Sequence, residues 1–273
     1  MASAVIWSAP AFADFELNMP QGVTSSSRDI YSLHMQILIV CAVIAAGVYS
    51  AMVYAIVRFR KSKGATPAKF SHSTTAEIVW TVIPCIILIA MAVPAARTLV
   101  RLEDTRDSEL TLQITGYQWQ WHYDYIDQGV SFFSMLDRES NAARQPDSGV
   151  DPFSVENYLL EVNNRLVVPV DTKVRLLVTA VDVIHSWWLP DFGVKKDAIP
   201  GIVREAWFEA SETGVFRGQC AELCGMDHGF MPIVVEVVSR EDFAAWLVGQ
   251  GATGPAFSER EPDDSSQRTA FNE

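Results

Sequence analysis

Residues Ile30 to Val57 form a run of 28 positions without an Asp, Glu, Lys or Arg, and Ile78 to Ala96 form a second run of 19. At about 1.5 Å rise per residue, either run as an α-helix crosses a hydrocarbon core of roughly 30 Å. The shorter one alone would also suit the core helix of a soluble protein, but two in succession make a membrane hairpin. The link between them holds Arg58, Arg60, Lys61, Lys63 and Lys69, with no acid before Glu77. The positive-inside rule places this link in the cytoplasm. The segment before the first span and everything after about residue 100 then lie on the outer side. The expected order is an outer N-terminal segment 14–29, spans at 30–57 and 77–98 joined by a cytoplasmic loop 58–76, an outer domain 103–250 and a disordered tail 251–273. Residues 1–13 read as the remnant of a signal peptide, with Ala11-Phe12-Ala13 as a small-x-small site and Asp14 as the mature start.

The formal charge of −12 averages two different objects. Residues 1–102 hold 8 basic and 4 acidic side chains, and residues 103–273 hold 13 and 29. An outer domain this acidic is a poor nucleic-acid binder and suits a basic partner. Four cysteines are too few for a disulfide scaffold. Cys41 and Cys85 fall inside the spans and read as small apolar residues.

Beyond Glu109 the pattern shifts to period two. Leu110–Thr115, Tyr158–Val162, Lys173–Ala180, Val203–Ala210 and Ile233–Val238 read as strands, punctuated by Pro and Gly. Short strands with frequent turns predict an all-β sandwich or Greek-key barrel. Residues 137–157 read as a loop insertion, and Ser239 as the cap of a short helix through Phe243 and Trp246. Tyr117, Trp119, Trp121, Tyr123 and Tyr125 alternate with polar residues, which puts them on one strand face, and core packing would explain that.

Cys220-Ala-Glu-Leu-Cys224-Gly-Met-Asp-His228-Gly-Phe-Met231 is the densest run of metal-capable side chains. A further imidazole, His185, precedes Trp187-Trp188. Thiolate, thioether and imidazole favour copper or zinc over magnesium or calcium. One Cys, two His and a distant Met would serve a single copper, while two bridging thiolates can hold two coppers that share one electron. A Cys220–Cys224 disulfide and a Cys2His2 zinc site are the alternatives. Met231 is a poor zinc donor and a familiar weak copper ligand, which favours copper.

The run resembles the binuclear-copper loop of the cytochrome c oxidase subunit II family. The resemblance extends to the hairpin, to Gly116-Tyr-Gln-Trp-Gln-Trp-His-Tyr-Asp-Tyr125, to Asp182-Val-Ile-His-Ser-Trp187 and to Lys196-Asp-Ala-Ile-Pro-Gly201, in family order. It implies a two-helix transmembrane hairpin in a bacterial inner membrane, carrying an all-β cupredoxin-like Greek-key barrel that faces the periplasm. It implies His185, Cys220, Cys224 and His228 as copper ligands, Met231 as the weak one, and Glu222 as a ligand through its carbonyl. The Glu222 side chain is implied to reach a magnesium or manganese ion shared with the catalytic subunit. Trp119 is implied as the point of electron uptake, and Glu77 as the mouth of a proton path, beside its plainer reading as a first-turn helix acid. Asp124 and Asp182 match family positions that dock basic cytochrome c. Gln120 replaces an aromatic and Asn163 an acid of the usual pattern.

The implied function is that of an electron-uptake subunit of a haem–copper oxidase, with oxygen reduced and protons pumped in a haem-bearing partner. Two rivals differ in sequence. A quinol oxidase subunit II would not need the copper ligands. A membrane-tethered copper chaperone would need a βαβ pattern around its cysteines, where this domain shows short strands.

Overall fold

The computed structural model of the chain describes residues 18–66, 69 and 71–257. The expectations for residues 1–13 and for 258–273 lie outside the described residues. The first charge-free run is carried by α1, Ser25–Arg58. It starts where Thr24 and Ser27 cap each other: the Thr24 hydroxyl accepts from the Ser27 N–H at 2.9 Å and the Ser27 hydroxyl from the Thr24 N–H at 3.0 Å. This reciprocal pairing satisfies donors that a helix start leaves open. The second run lies in α2, Thr74–Leu102, capped by Ser73 and containing Pro84 and Pro94. The apolar windows of both helices are not buried within the chain. Ile39, Val43, Ile56 and Ile89 are each more than half exposed. A helix that is apolar on all sides yet uncovered needs lipid or partner helices around it, so the soluble-core reading of the second run fails.

The rest of the described chain is a two-sheet β-domain. In chain order it comprises β1 Leu110–Tyr117, β2 Gln120–Tyr125, β3 Val130–Ser134, α3 Arg138–Ala143, β4 Leu166–Pro169, β5 Lys173–Ala180, β6 His185–Leu189, β7 Val194–Ala198, β8 Arg204–Glu209, β9 Gly214–Cys220, β10 Ile233–Val238 and α4 Arg240–Gly249. One sheet has the order β3-β2-β1-β5-β8 and the other β4-β10-β9-β6-β7. β1 runs parallel to β5 and β4 parallel to β10; the remaining pairs are antiparallel. The chain crosses between sheets repeatedly, which gives the Greek-key cupredoxin-like barrel. Leu110, Leu112, Ile114, Val174, Leu176 and Val178 fill the space between the sheets together with Leu166, Ile233 and Val235. Tyr125 ties one sheet to the other: its phenol donates to the Val167 carbonyl at 2.6 Å and accepts from the Val167 N–H at 3.1 Å. Burial holds this phenol well above its ordinary pKa, so it remains a donor.

Several strand expectations need correction. Tyr158–Leu160 is a turn, because Asn157 and Leu159 take left-handed φ of 51° and 63°, and the strand of this region is β4 instead. The five alternating aromatics do not share one strand face. Tyr117 ends β1, Trp119 sits in the β1–β2 turn, and only Trp121, Tyr123 and Tyr125 point inward from β2. The insertion at 137–157 contains α3, which Asp137 caps through the Glu139 N–H at 2.8 Å. Residues 251–257 belong to the packed domain: Gln128 donates to the Pro255 carbonyl at 3.0 Å, and the Arg240 guanidinium lies 4.0 Å over the Phe257 ring. The helix after Ser239 forms as expected, with the Ser239 hydroxyl accepting from the Asp242 N–H.

The barrel is fastened to the helices at their outer ends. The Thr24 hydroxyl donates to the Phe192 carbonyl at 2.8 Å, and the Val23 N–H to the Asp191 carbonyl at 2.8 Å. The Trp207 indole donates to the Arg101 carbonyl at the end of α2, and Arg101 pairs with Asp29 of α1. Gly193, at φ +67°, lies so close to the Ser27 backbone that a Cβ would meet it at 2.9 Å. Only glycine permits that approach with that φ.

Candidate metal centre

The ends of three central strands of the second sheet and one loop converge at one end of that sheet. β6 opens with His185, β9 closes with Cys220, and Trp187 stands opposite Cys220 in register. The loop from Ala221 to Pro232 then returns to β10 and brings Cys224, His228 and Met231 back to the same place. His185, Cys220 and Cys224 are buried, with ligand atoms all within 4.8 Å of one another. Cys220 Sγ lies 4.0 Å from His185 Nδ1, 3.9 Å from Cys224 Sγ and 3.3 Å from the Glu222 carbonyl oxygen. Cys224 Sγ lies 3.5 Å from His228 Nδ1 and 3.5 Å from Met231 Sδ. The two sulfurs thus form the middle of the site, with one imidazole beside each.

This geometry sorts the alternatives. A disulfide needs sulfurs about 2.05 Å apart, and these stand well beyond that. A structural zinc ion takes four tetrahedral donors. Here six donor atoms gather: two thiols, two imidazoles, a thioether and a carbonyl. The soft set suits copper. The electrostatics suit a cation as well. Burial pushes the Cys220 thiol up, but hydrogen bonds from His185 and the Ser186 backbone outweigh it and hold the thiol below its ordinary range. Burial and the neighbouring Cys220 charge push Cys224 up to about 12. Without a cation, the pair resists carrying two negative charges in one buried place; a metal ion removes that obstacle.

Support for the donors comes from distant parts of the sequence. Asp182 Oδ1 accepts from His185 Nε2 at 2.9 Å, which leaves Nδ1 facing the sulfurs. Asp182 Oδ2 accepts from the Gln118 backbone N–H at 2.7 Å. Against burial, the His185 contact keeps Asp182 ionised below the usual carboxylate range. Gly116 lies against His185, where a Cβ would come within 2.8 Å of the ring. The Trp121 indole donates to the Met231 carbonyl at 3.2 Å. Two donors, Trp119 Nε1 at 3.2 Å and Gln118 Nε2 at 2.9 Å, meet on the Cys224 carbonyl.

The sequence-predicted residues are therefore distributed as follows. His185, Cys220, Cys224, His228, Met231 and the Glu222 carbonyl come together, and the Glu222 side chain stays exposed. Trp119 is half-buried against the loop. Asp182, expected at the docking surface, is exposed, and its carboxylate also accepts from His185 Nε2 and the Gln118 N–H. Asp124 lies on β2, half-buried, in register with Gln113 and Ser131. Glu77 lies in the first turn of α2, at the end of that helix away from the barrel. Gln118, Gly116 and Trp121 were missed as supports. Their only sequence signal is membership of the aromatic segment.

Sequence comparison agrees with this architecture. The family profile described as cytochrome C oxidase subunit II, periplasmic domain, matches residues 110–238, and the one described as its transmembrane domain matches residues 13–97. A probable cytochrome c oxidase subunit 2 of Rickettsia bellii is 40% identical over 251 residues, covering 90% of each chain. The cytochrome c oxidase subunit 2 of Cereibacter sphaeroides is 40% identical over 231 residues, covering 81% of this chain and 76% of its own. The crystal structure of the periplasmic domain of subunit II of cytochrome oxidase from Bradyrhizobium japonicum shares 44% identity, with TM-score 0.46 over 54% of this chain and 96% of that one. With both parts of the molecule matched in order, the chain belongs to the cytochrome c oxidase subunit II family, the membrane-anchored copper-domain subunit of an oxidoreductase complex.

Proposed function

We propose that this chain takes electrons from cytochrome c on the periplasmic side and delivers them to a haem-bearing catalytic subunit in the same membrane. His185, Cys220, Cys224, His228, Met231 and the Glu222 carbonyl would hold two copper ions. When bound, such a pair supplies one-electron chemistry shared between two nuclei, at low reorganisation. The residues do the rest. Asp182 orients the His185 ring, burial of both thiols excludes water, and Trp121 holds the Met231 backbone. The observation that carries the reading is the indole N–H of half-buried Trp119 bonded at 3.2 Å to the carbonyl of Cys224. A ring reachable from the surface is thereby joined through one hydrogen bond to a metal-capable thiol residue.

The basic link between α1 and α2 then lies in the cytoplasm, with both ends of the chain outside. The acidic excess sits in the outer part of the chain, residues 103–273, where a basic donor arrives. Raising ionic strength from about 0.01 to 0.15 M shrinks the Debye length from ~30 to ~8 Å. The second-order rate with cytochrome c is expected to fall by about tenfold over that range. Steady-state turnover of the purified oxidase at low cytochrome c concentration measures it. A rate flat with salt would remove electrostatic docking from the proposal.

A further inference from the structure

The insertion between β3 and β4 takes no part in the proposed electron path, yet Arg144 in it reaches the copper loop. Arg144 closes α3, and its Nη1 and Nη2 donate to the two carboxylate oxygens of Asp227 at 3.2 and 3.4 Å. Its Nε donates to Asn141 Oδ1 at 2.8 Å, and its guanidinium carbon lies 4.3 Å from the centre of the Phe230 ring. Asp227 and Phe230 bracket His228. Asp227 precedes the short turn His228–Phe230, yet its carboxylate caps no amide there and turns to Arg144 instead. One side chain therefore grips the loop on both sides of a proposed ligand. Arginine suits this task, because its planar fork matches a carboxylate while its face stacks on a ring. The two ionic side chains are 22% and 23% exposed, so water and salt weaken the pair less than they would a surface one.

The insertion is closed on itself and tied to the barrel through Glu161, whose Oε2 accepts from Arg217 Nη2 of β9 at 2.8 Å. The Leu159 N–H donates to the Ser140 hydroxyl of α3 at 3.2 Å, the Asp137 N–H to the Glu161 carbonyl at 3.0 Å, and Leu136 bridges Val162. The grip is thus transmitted from the folded domain to the loop through a segment remote in sequence. A cavity of about 180 Å³ lies at the junction, with Trp119 and Met135 in its wall.

We propose that Arg144 is a positioning residue for the copper site. Through Asp227 and Phe230 it fixes the arm that carries His228 and Met231, so the geometry at those donors is set partly from outside the loop. The proposal rests on the reading of His228 and Met231 as ligands, and its test separates the two. In the metal-free full-length chain in detergent, R144M is expected to raise amide hydrogen exchange at residues 225–230 by about tenfold, with R144K between it and wild type. D227N, which keeps the arginine and removes its carboxylate partner, should move the same amides in the same direction. Exchange in β1 and β5 should not change in either variant, which distinguishes a local latch from general loosening. In the copper-loaded oxidase, R144M should shift the reduction potential and the copper hyperfine splitting, and R144K should restore them in part. Unchanged exchange in both R144M and D227N would overturn the proposal. So would faster exchange with an unchanged potential and hyperfine pattern, because the latch would then not reach the metal. A wild-type chain that takes up no copper would defeat the ligand reading, while the exchange arm would still test the latch alone.

Discussion

Changing Cys220 and Cys224 together to serine is expected to abolish turnover with cytochrome c, by at least about a hundredfold, while the barrel stays folded. The loss follows from donor chemistry. A serine hydroxyl is hard, is not deprotonated near neutral pH and does not bridge copper. Removing even a supporting partner of a ligand typically costs about 10–100-fold in metal affinity or activity, and this variant removes both central donors. The fold should tolerate the change, because serine is nearly isosteric with cysteine. Its hydroxyl at 220 can donate to the Glu222 carbonyl, as the thiol does at 3.3 Å. The measurement is turnover and copper content of the purified oxidase, with thermal unfolding as the control. Retained turnover in a folded double variant would show that the thiols hold no metal the reaction needs.

Replacing Trp119 with phenylalanine is expected to slow electron uptake by at least about tenfold, equivalent to ~1.4 kcal/mol of barrier. The copper spectrum should stay as in wild type. The two halves of this prediction have separate causes. Phenylalanine lacks the indole N–H, so the bond from the surface-reachable ring to the Cys224 carbonyl disappears. That carbonyl keeps its second donor, Gln118 Nε2 at 2.9 Å, so the loop beneath is still held. Gly225, which packs against both side chains, leaves no side chain of its own to rearrange into the gap. Rapid mixing of reduced cytochrome c with the oxidase measures the uptake rate directly. An unchanged rate would return Trp119 to a packing role. A changed copper spectrum would mean that the indole supports the ligands rather than the electron.

The parts of the molecule that were legible in the sequence share one property: their signal is local. Two charge-free runs are enough to identify two helices, since no other structure buries that many consecutive apolar residues. Leu110–Thr115, Lys173–Ala180 and Ile233–Val238 alternate or run apolar because one face meets the core. The thiols, His228 and Met231 stand within twelve positions, so their donor chemistry can be read without a fold. What escaped was set by tertiary context. β9, Gly-Val-Phe-Arg-Gly-Gln-Cys, holds two glycines and leaves most of its side chains half-exposed, so it carries little period-two signal. β6 is buried on both faces at four of its five positions, which erases alternation. Tyr158–Val162 has strand-like residue types, but its left-handed backbone at Leu159 turns Tyr158–Leu160 and leaves only Val162 in a bridge. Asp182 has the same carboxylate whether it greets a partner or orients His185, and only the fold shows it at 2.9 Å from Nε2. Gln118 reaches Cys224 across 106 positions and Arg144 reaches Asp227 across 83. No spacing rule spans such distances.

The central claim is that two thiolates flanked by two imidazoles hold a pair of coppers sharing one electron. Copper stoichiometry and electron paramagnetic resonance of the oxidised, full-length chain test it most directly. Two coppers per chain and a seven-line hyperfine pattern, from one electron spread over two equivalent nuclei, are expected. One copper with a four-line pattern, or tightly bound zinc alone, would contradict it.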